Sequence, residues 1–214
     1  MWLISCGPGA QPCDPLTCVD LKVTVADSGR SFNLKPGQSL LVTISAGDSS
    51  ASADSTNDRV IKKSIGPKVI GGDLDALFQA VAAGSAKVTL RLARCSETPG
   101  SRCLVAVSVN VVELPPTQRQ LSHADTGKGV AIRSADRVLI TLVAADDNYW
   151  HITIDPPGTL SWLVPPQLFP HTMLQGVLEA KTPGKATLDA VAPTCEVTNN
   201  ACSHEVLFYF TVHN

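Results

Sequence analysis

Six of the seven cysteines fall in three close pairs, Cys13/Cys18, Cys95/Cys103 and Cys195/Cys202. The last two pairs stand at the same distance after Gly84 and Gly184, and each brackets a short polar run. Thiols spaced this way around a turn suit a disulfide that staples a hairpin. Closing a loop of about nine residues is worth roughly 2.5 kcal/mol on the chain-entropy estimate. Thiolates also bind metals, but such sites want CxxC-type spacing and converging pairs, which these runs lack. Three disulfides are therefore expected, and with them an oxidising compartment.

Cys6 is left over. Leu3-Ile4-Ser5-Cys6 is similar to the bacterial lipobox, with an aliphatic residue at -3, a small one at -1 and then the cysteine that takes the lipid. The GPGAQP run behind it suits a flexible tether. A signal peptide also needs a charged start and an apolar stretch, and only Met1-Trp2-Leu3-Ile4 precede the motif, so this reading requires coding sequence upstream of Met1. The alternative is a lone thiol in an unstructured tail. On the lipid reading the chain lies outside the cytoplasm, secreted or held as a lipoprotein of the bacterial envelope. Cys6 would then be its one link to a membrane, because no apolar run approaches the ~18 residues needed to span one.

Other reactive constellations are missing. The five histidines, His123, His151, His171, His204 and His213, form no HExxH or other metal spacing, and His204 and His213 read as plain surface positions on or beside the last strand. There is no GxSxG elbow, and Gly184-Lys185 lacks the upstream glycine of a phosphate-binding loop. The chain is expected to have no catalytic residue, no metal, no cofactor and no enzyme activity. The run 47–58 holds several aspartates, but not in the D-x-D-x-D-G order of a calcium loop, so a solvated loop is expected there. Asp146, Asp147, Asn148, Tyr149 and Trp150 make the candidate binding stretch, since aromatics beside fixed polar groups are what recognition loops use. Trp150 has a second reading, as a core pin of its own sheet.

Positioning such loops is the task of the elements around them. The run 124–142 repeats 26–44 without a gap: Ala26-Asp27 recurs as Ala124-Asp125, then Ser28/Thr126, Gly29/Gly127 and Arg30/Lys128, and the apolar runs 40–44 and 138–142 coincide. A self-match at about the length of one small domain indicates two copies of one fold. With 17 Lys and Arg against 19 Asp and Glu, the net charge of -2 argues against a nucleic-acid partner. Fifteen Gly and fifteen Pro among many Val and Thr suit short strands joined by turns. Strands are expected at 21–25, 32–34, 39–45, 59–64, 77–82, 87–93 and 104–112, and in the second copy at 130–132, 137–144, 149–154, 160–164, 173–180, 185–192 and 205–213. Leu74, Leu77, Phe78 and Val81 have helical spacing, but the corresponding stretch of the second copy fits a strand, so one helical turn at most is expected before 77. The division is 1–20 truncated signal and tether, 21–113 first copy, 114–122 linker stiffened by Pro115-Pro116, and 123–214 second copy. Seven short strands per copy predict an all-β chain of two tandem immunoglobulin-like β-sandwiches.

The pattern resembles the chagasin-like family, small β-sandwiches known as inhibitors of papain-type cysteine proteases. The resemblance rests on Gly127 to Leu142, on the stretch from Leu178 through Gly184 to Ala186, and on Trp150 after the second main strand. That family blocks its protease with end loops. At the matching positions Ala145-Asp146-Asp147-Asn148-Tyr149 and Ala192-Pro193-Thr194-Cys195 depart from the family's loop motifs. Together with the compartment expected from the cysteines, the resemblance implies an extracytoplasmic binding module that meets a protein partner, a papain-type protease or another envelope protein, through end loops. The alternative is a structural spacer or adhesion-type lipoprotein without inhibitory activity.

Overall fold

The computed structural model describes residues 18–45, 50–93, 103–143, 150–191 and 205–214. The chain divides into two units, Met1–Glu113 and Leu114–Asn214. The first unit runs β1 (Leu21–Val23), a 3-10 turn (Val25–Asp27), β2 (Ser31–Leu34), β3 (Ser39–Ser45), β4 (Ala51–Ser55), β5 (Ile61–Ile70), β6 (Asp73–Ala80), β7 (Gly84–Leu92) and β8 (Leu104–Val111). The second runs β9 (Arg119–Ser122), a 3-10 turn (His123–Asp125), β10 (Gly129–Arg133), β11 (Arg137–Val143), β12 (His151–Asp155), β13 (Leu160–Phe169), β14 (Met173–Ala180), β15 (Gly184–Val191) and β16 (Glu205–His213). The protein is all-β.

Each unit is a sandwich of two four-stranded sheets with the same order. In the first unit these are β1-β3-β6-β5 and β2-β8-β7-β4; in the second, β9-β11-β14-β13 and β10-β16-β15-β12. Alternation along the strands explains the burial. Leu40, Val42 and Ile44 of β3 face Val88, Leu90, Val105, Val107 and Val109 of the opposite sheet in one core. Val138, Ile140 and Leu142 of β11 stand in the same relation to Leu188, Val206, Phe208 and Phe210. The other faces of β3 and β6 are buried as well, and there Thr43 Oγ1 donates to Asp75 Oδ1 at 2.7 Å. At the equivalent place of the second unit Gln175 Nε2 donates to Thr141 Oγ1 at 3.1 Å.

The self-matching motif is a structural clip. In the first unit Thr24 donates from its backbone N–H and its hydroxyl to Asp27 Oδ2, closing a capping box around the 3-10 turn. Ser122 and Asp125 do the same in the second. The glycine that follows takes a positive φ, +88° at Gly29 and +76° at Gly127, and donates its N–H to Ala106 O and Leu207 O respectively. Arg30 and Lys128 then pair back to Asp27 and Asp125. The clip carries the chain from one sheet to the other, so its residues recur because the crossing recurs.

Several boundaries differ from expectation. Residues 119–122, assigned to the linker, form β9, which pairs in parallel with β11 and buries Leu121. Polar neighbours hide this strand, since a single inward side chain on an edge gives no alternation to read. Within the polar loop 47–58, Ala51–Ser55 is β4, held by β7 and burying Ala53. The first strand stops at Val23 because the 3-10 turn begins at Val25. No helical turn precedes residue 77; β6 is extended from Asp73. The fifth strand of each unit runs on through Pro67 or Pro165-Pro166, where register shifts accommodate prolines on an edge strand. Among the described residues each unit thus has one strand more than the seven expected.

Candidate functional site

The connections of each sandwich sort by end. Pairing of Ala51 with Leu92, Ser45 with Asp73 and Ile70 with Asp73 puts the β3–β4, β5–β6 and β7–β8 connections of the first unit at one end. His151 with Val191, Val143 with Met173 and Phe169 with Met173 do the same for the second unit. The longer connections, 93–103, 144–150 and 192–204, all emerge there. Short turns such as 81–83 and 181–183 close the opposite end. The fold therefore brings these connections to one end of each unit.

The two ends have diverged in chemistry. In the first unit the β5–β6 hairpin carries Val69 and Ile70, 43% and 39% exposed, before Gly71 and Gly72, whose φ of +60° and +96° suit a tight two-residue turn. Ser50, Ala51, Ser52, Arg91, Leu92 and Ala93 line a shallow pocket at that end. In the second unit the turn has His171 and Thr172 at φ +63° and +55°. Both are exposed, and a β-branched residue in the left-handed region is a genuine outlier. Thr172 Oγ1 donates to His171 O at 2.7 Å, which helps hold this backbone. Such strain is a pointer to function.

Of the candidate binding stretch, Trp150 is described, and Asp146, Asp147, Asn148 and Tyr149 lie outside the described residues. Trp150 is half-buried against the core of the second unit and meets the His123 ring edge-on, centroids 5.2 Å apart and planes at 66°. Its packing matches the core-pin reading more closely than that of a freely presented ring. The His123 contact had no sequence signal, because the two residues meet only when the 3-10 turn after β9 comes beside the start of β12. Trp162 also packs on the core, and Phe169 is 4% exposed.

Cys18 and Cys103 are half-buried. Cys13, Cys95, Cys195 and Cys202 lie outside the described residues, as does Cys6. Among the described residues no group of three His, Cys, Asp or Glu side chains is placed to hold a metal ion, and no helix is long and apolar enough to cross a membrane. Among the described residues, ion pairs sit on the clips, on β14, and between Lys63 of β5 and Asp54 of β4. Lys128 beside Asp125 holds that carboxyl below the usual range, with help from the Ser122 N–H. Lys181 acts likewise on Glu179, seconded by Arg137. Burial lowers the Lys35 ammonium.

No family model matches the chain, and no curated protein matches it in sequence. Solved structures similar to it include the cysteine protease inhibitor EhICP2 from Entamoeba histolytica, at 14% identity and TM-score 0.38, which covers 46% of this chain and 100% of that one. Domains 4 and 5 of the S-layer protein SbsC are similar at 15% identity and TM-score 0.32, covering 79% and 72% of the two chains. The multicopper oxidase Fet3p is similar at 7% identity and TM-score 0.32, covering 85% and 46%. An inhibitor, a surface-layer protein and an oxidase at comparable likeness leave the function to be argued from the site itself.

Proposed function

We propose that this chain is a non-enzymatic binding module that meets a protein partner through the loop end of its sandwiches, with a papain-type protease as the first partner to try. The observation that carries this is the gathering of the longer connections at one end of each unit, opposite an end closed by short turns. A rigid sandwich that offers loops on one side is the arrangement recognition domains use. The extracytoplasmic setting, the pairings Cys13–Cys18, Cys95–Cys103 and Cys195–Cys202, and the lipid on Cys6 belong to the same proposal. The test is inhibition and direct binding of papain by the full chain. Dose-dependent inhibition at micromolar protein supports the inhibitor form. Neither inhibition nor binding at that concentration overturns it.

A second reading, a spacer of the cell envelope, is favoured by the packing of Trp150 against the core, which takes much of its ring out of any recognition surface. It is separated from the first by Thr172→Asp. A charge at that exposed tip weakens a loop-end interaction at least tenfold and leaves a spacer unaffected.

A further inference from the structure

Histidines are unevenly divided between the two loop ends. In the second unit His123, His151 and His171 are all exposed at that end, in the 3-10 turn after β9, at the start of β12 and in the β13–β14 turn. The first unit has Val25, Ser52 and Gly71 at the register-equivalent positions. His123 meets Trp150 in a T-shaped contact, ring centroids 5.2 Å apart and planes at 66°. Trp150 is where the chain re-enters the sandwich after the 144–149 connection, half-buried against the core. A neutral imidazole against an indole makes a weak quadrupolar contact; an imidazolium adds cation–π attraction, for which Trp is the best aromatic partner. Histidine is the side chain whose ordinary range lets it make that change between pH 5 and 8.

We propose that His123 and Trp150 form a pH-sensitive latch on the loop end of the second unit, tightened when His123 is protonated. The added attraction exists only for the charged ring. The latch is therefore tight below the histidine range, about pH 6.5, and loosens as pH rises through it. On its own turn, Asp125 is engaged by Ser122 and by the Lys128 ammonium. Arg119 and Arg137, the charged residues of β9 and β11, begin those strands, at the far end from the turn. On β12, His151 follows Trp150 and Asp155 closes the strand. In sequence, the connections 144–149 and 192–204 hold Asp146, Asp147, Glu196 and His204, outside the described residues. The consequence for binding rests on the loop-end reading above; the latch itself needs no partner.

The experiment is a pH 5–8 titration of the full chain by NMR, following the His123 ring and the indole N–H signals of Trp150 and Trp162. The Trp150 signal is expected to shift with the midpoint of His123, to lose that shift in His123→Gln, and to do so while Trp162 stays still. Strand amide signals confirm that the variant is folded. A Trp150 shift that persists in His123→Gln, or its absence in the parent chain, overturns the latch. Papain affinity is then compared at pH 5.5 and 7.5 for the parent and His123→Gln, so that papain's own pH response cancels. A threefold or greater difference between the two chains in their pH ratio supports regulation of binding. Equal ratios overturn it. No binding at either pH, with the Trp150 shift present, overturns the loop-end partner and leaves the latch standing.

Discussion

At Gly176 a Cβ would lie 2.7 Å from Trp162 Cζ3 and 3.0 Å from the Pro166 nitrogen. The first unit has Ala76 there, with Lys63 in place of Trp162 and the fully buried Phe78 in place of Leu178. The two cores thus exchange one large ring between neighbouring strands, and the glycine makes room for it. Gly176→Ala is expected to cost about 1–3 kcal/mol by overpacking, read from the urea midpoint. Adding Trp162→Leu should recover part of the loss specific to that clash. A second pair tests backbone strain. Gly37 and Ala135 occupy equivalent turns at φ +89° and +70°, donating to Ala80 O and Ala180 O. Gly37→Ala should cost about 1 kcal/mol and Ala135→Gly should gain a similar amount, because only the alanine pays the left-handed steric penalty.

Among the elements, the clip of the second unit and β14 carry the acid dependence. Asp125 and Glu179 are both held below the ordinary carboxylate range, by Lys128 and Lys181 first. A depressed folded pKa gives stability that is present above the unfolded value, near 3.9–4.3, and lost as pH falls through the folded one. The parent chain is expected to lose urea midpoint between pH 5 and 3, and Asp125→Asn with Glu179→Gln should show a shallower decline. An equal slope in both proteins would refute the assignment. Here the sequence was partly legible. The repeat around Asp27 and Asp125 stood out, while its work as a sheet-to-sheet clip did not, because the acceptors Ala106 and Leu207 lie far along the chain.

For the whole molecule, each unit has its own core, and the second begins before residue 123. A fragment 114–214 is expected to fold with β-sheet circular dichroism and cooperative melting. A fragment 123–214 should not, since it strips β9 from β11 and removes Leu121 from the core. Equal melting of the two fragments would restore 114–122 to the role of a linker. The cysteine pairing is tested on the intact chain: mass spectrometry should find six cysteines alkylated only after reduction. Free thiols at Cys13, Cys95, Cys195 or Cys202 would count against the staples.

What the chain discloses on its own is what local physics repeats: the duplicated motif, the alternation of Leu40, Val42 and Ile44 with its echo at Val138, Ile140 and Leu142, and the glycine turns. Those suffice for an all-β protein of two similar units, because period-two alternation and turn chemistry are properties of neighbours in sequence. β4 and β9 are invisible there, since polar edge strands owe their conformation to hydrogen bonds from a distant partner, β7 or β11. The meeting of His123 with Trp150, and the gathering of the longer connections at one end, likewise exist only once strands far apart in the chain are laid side by side.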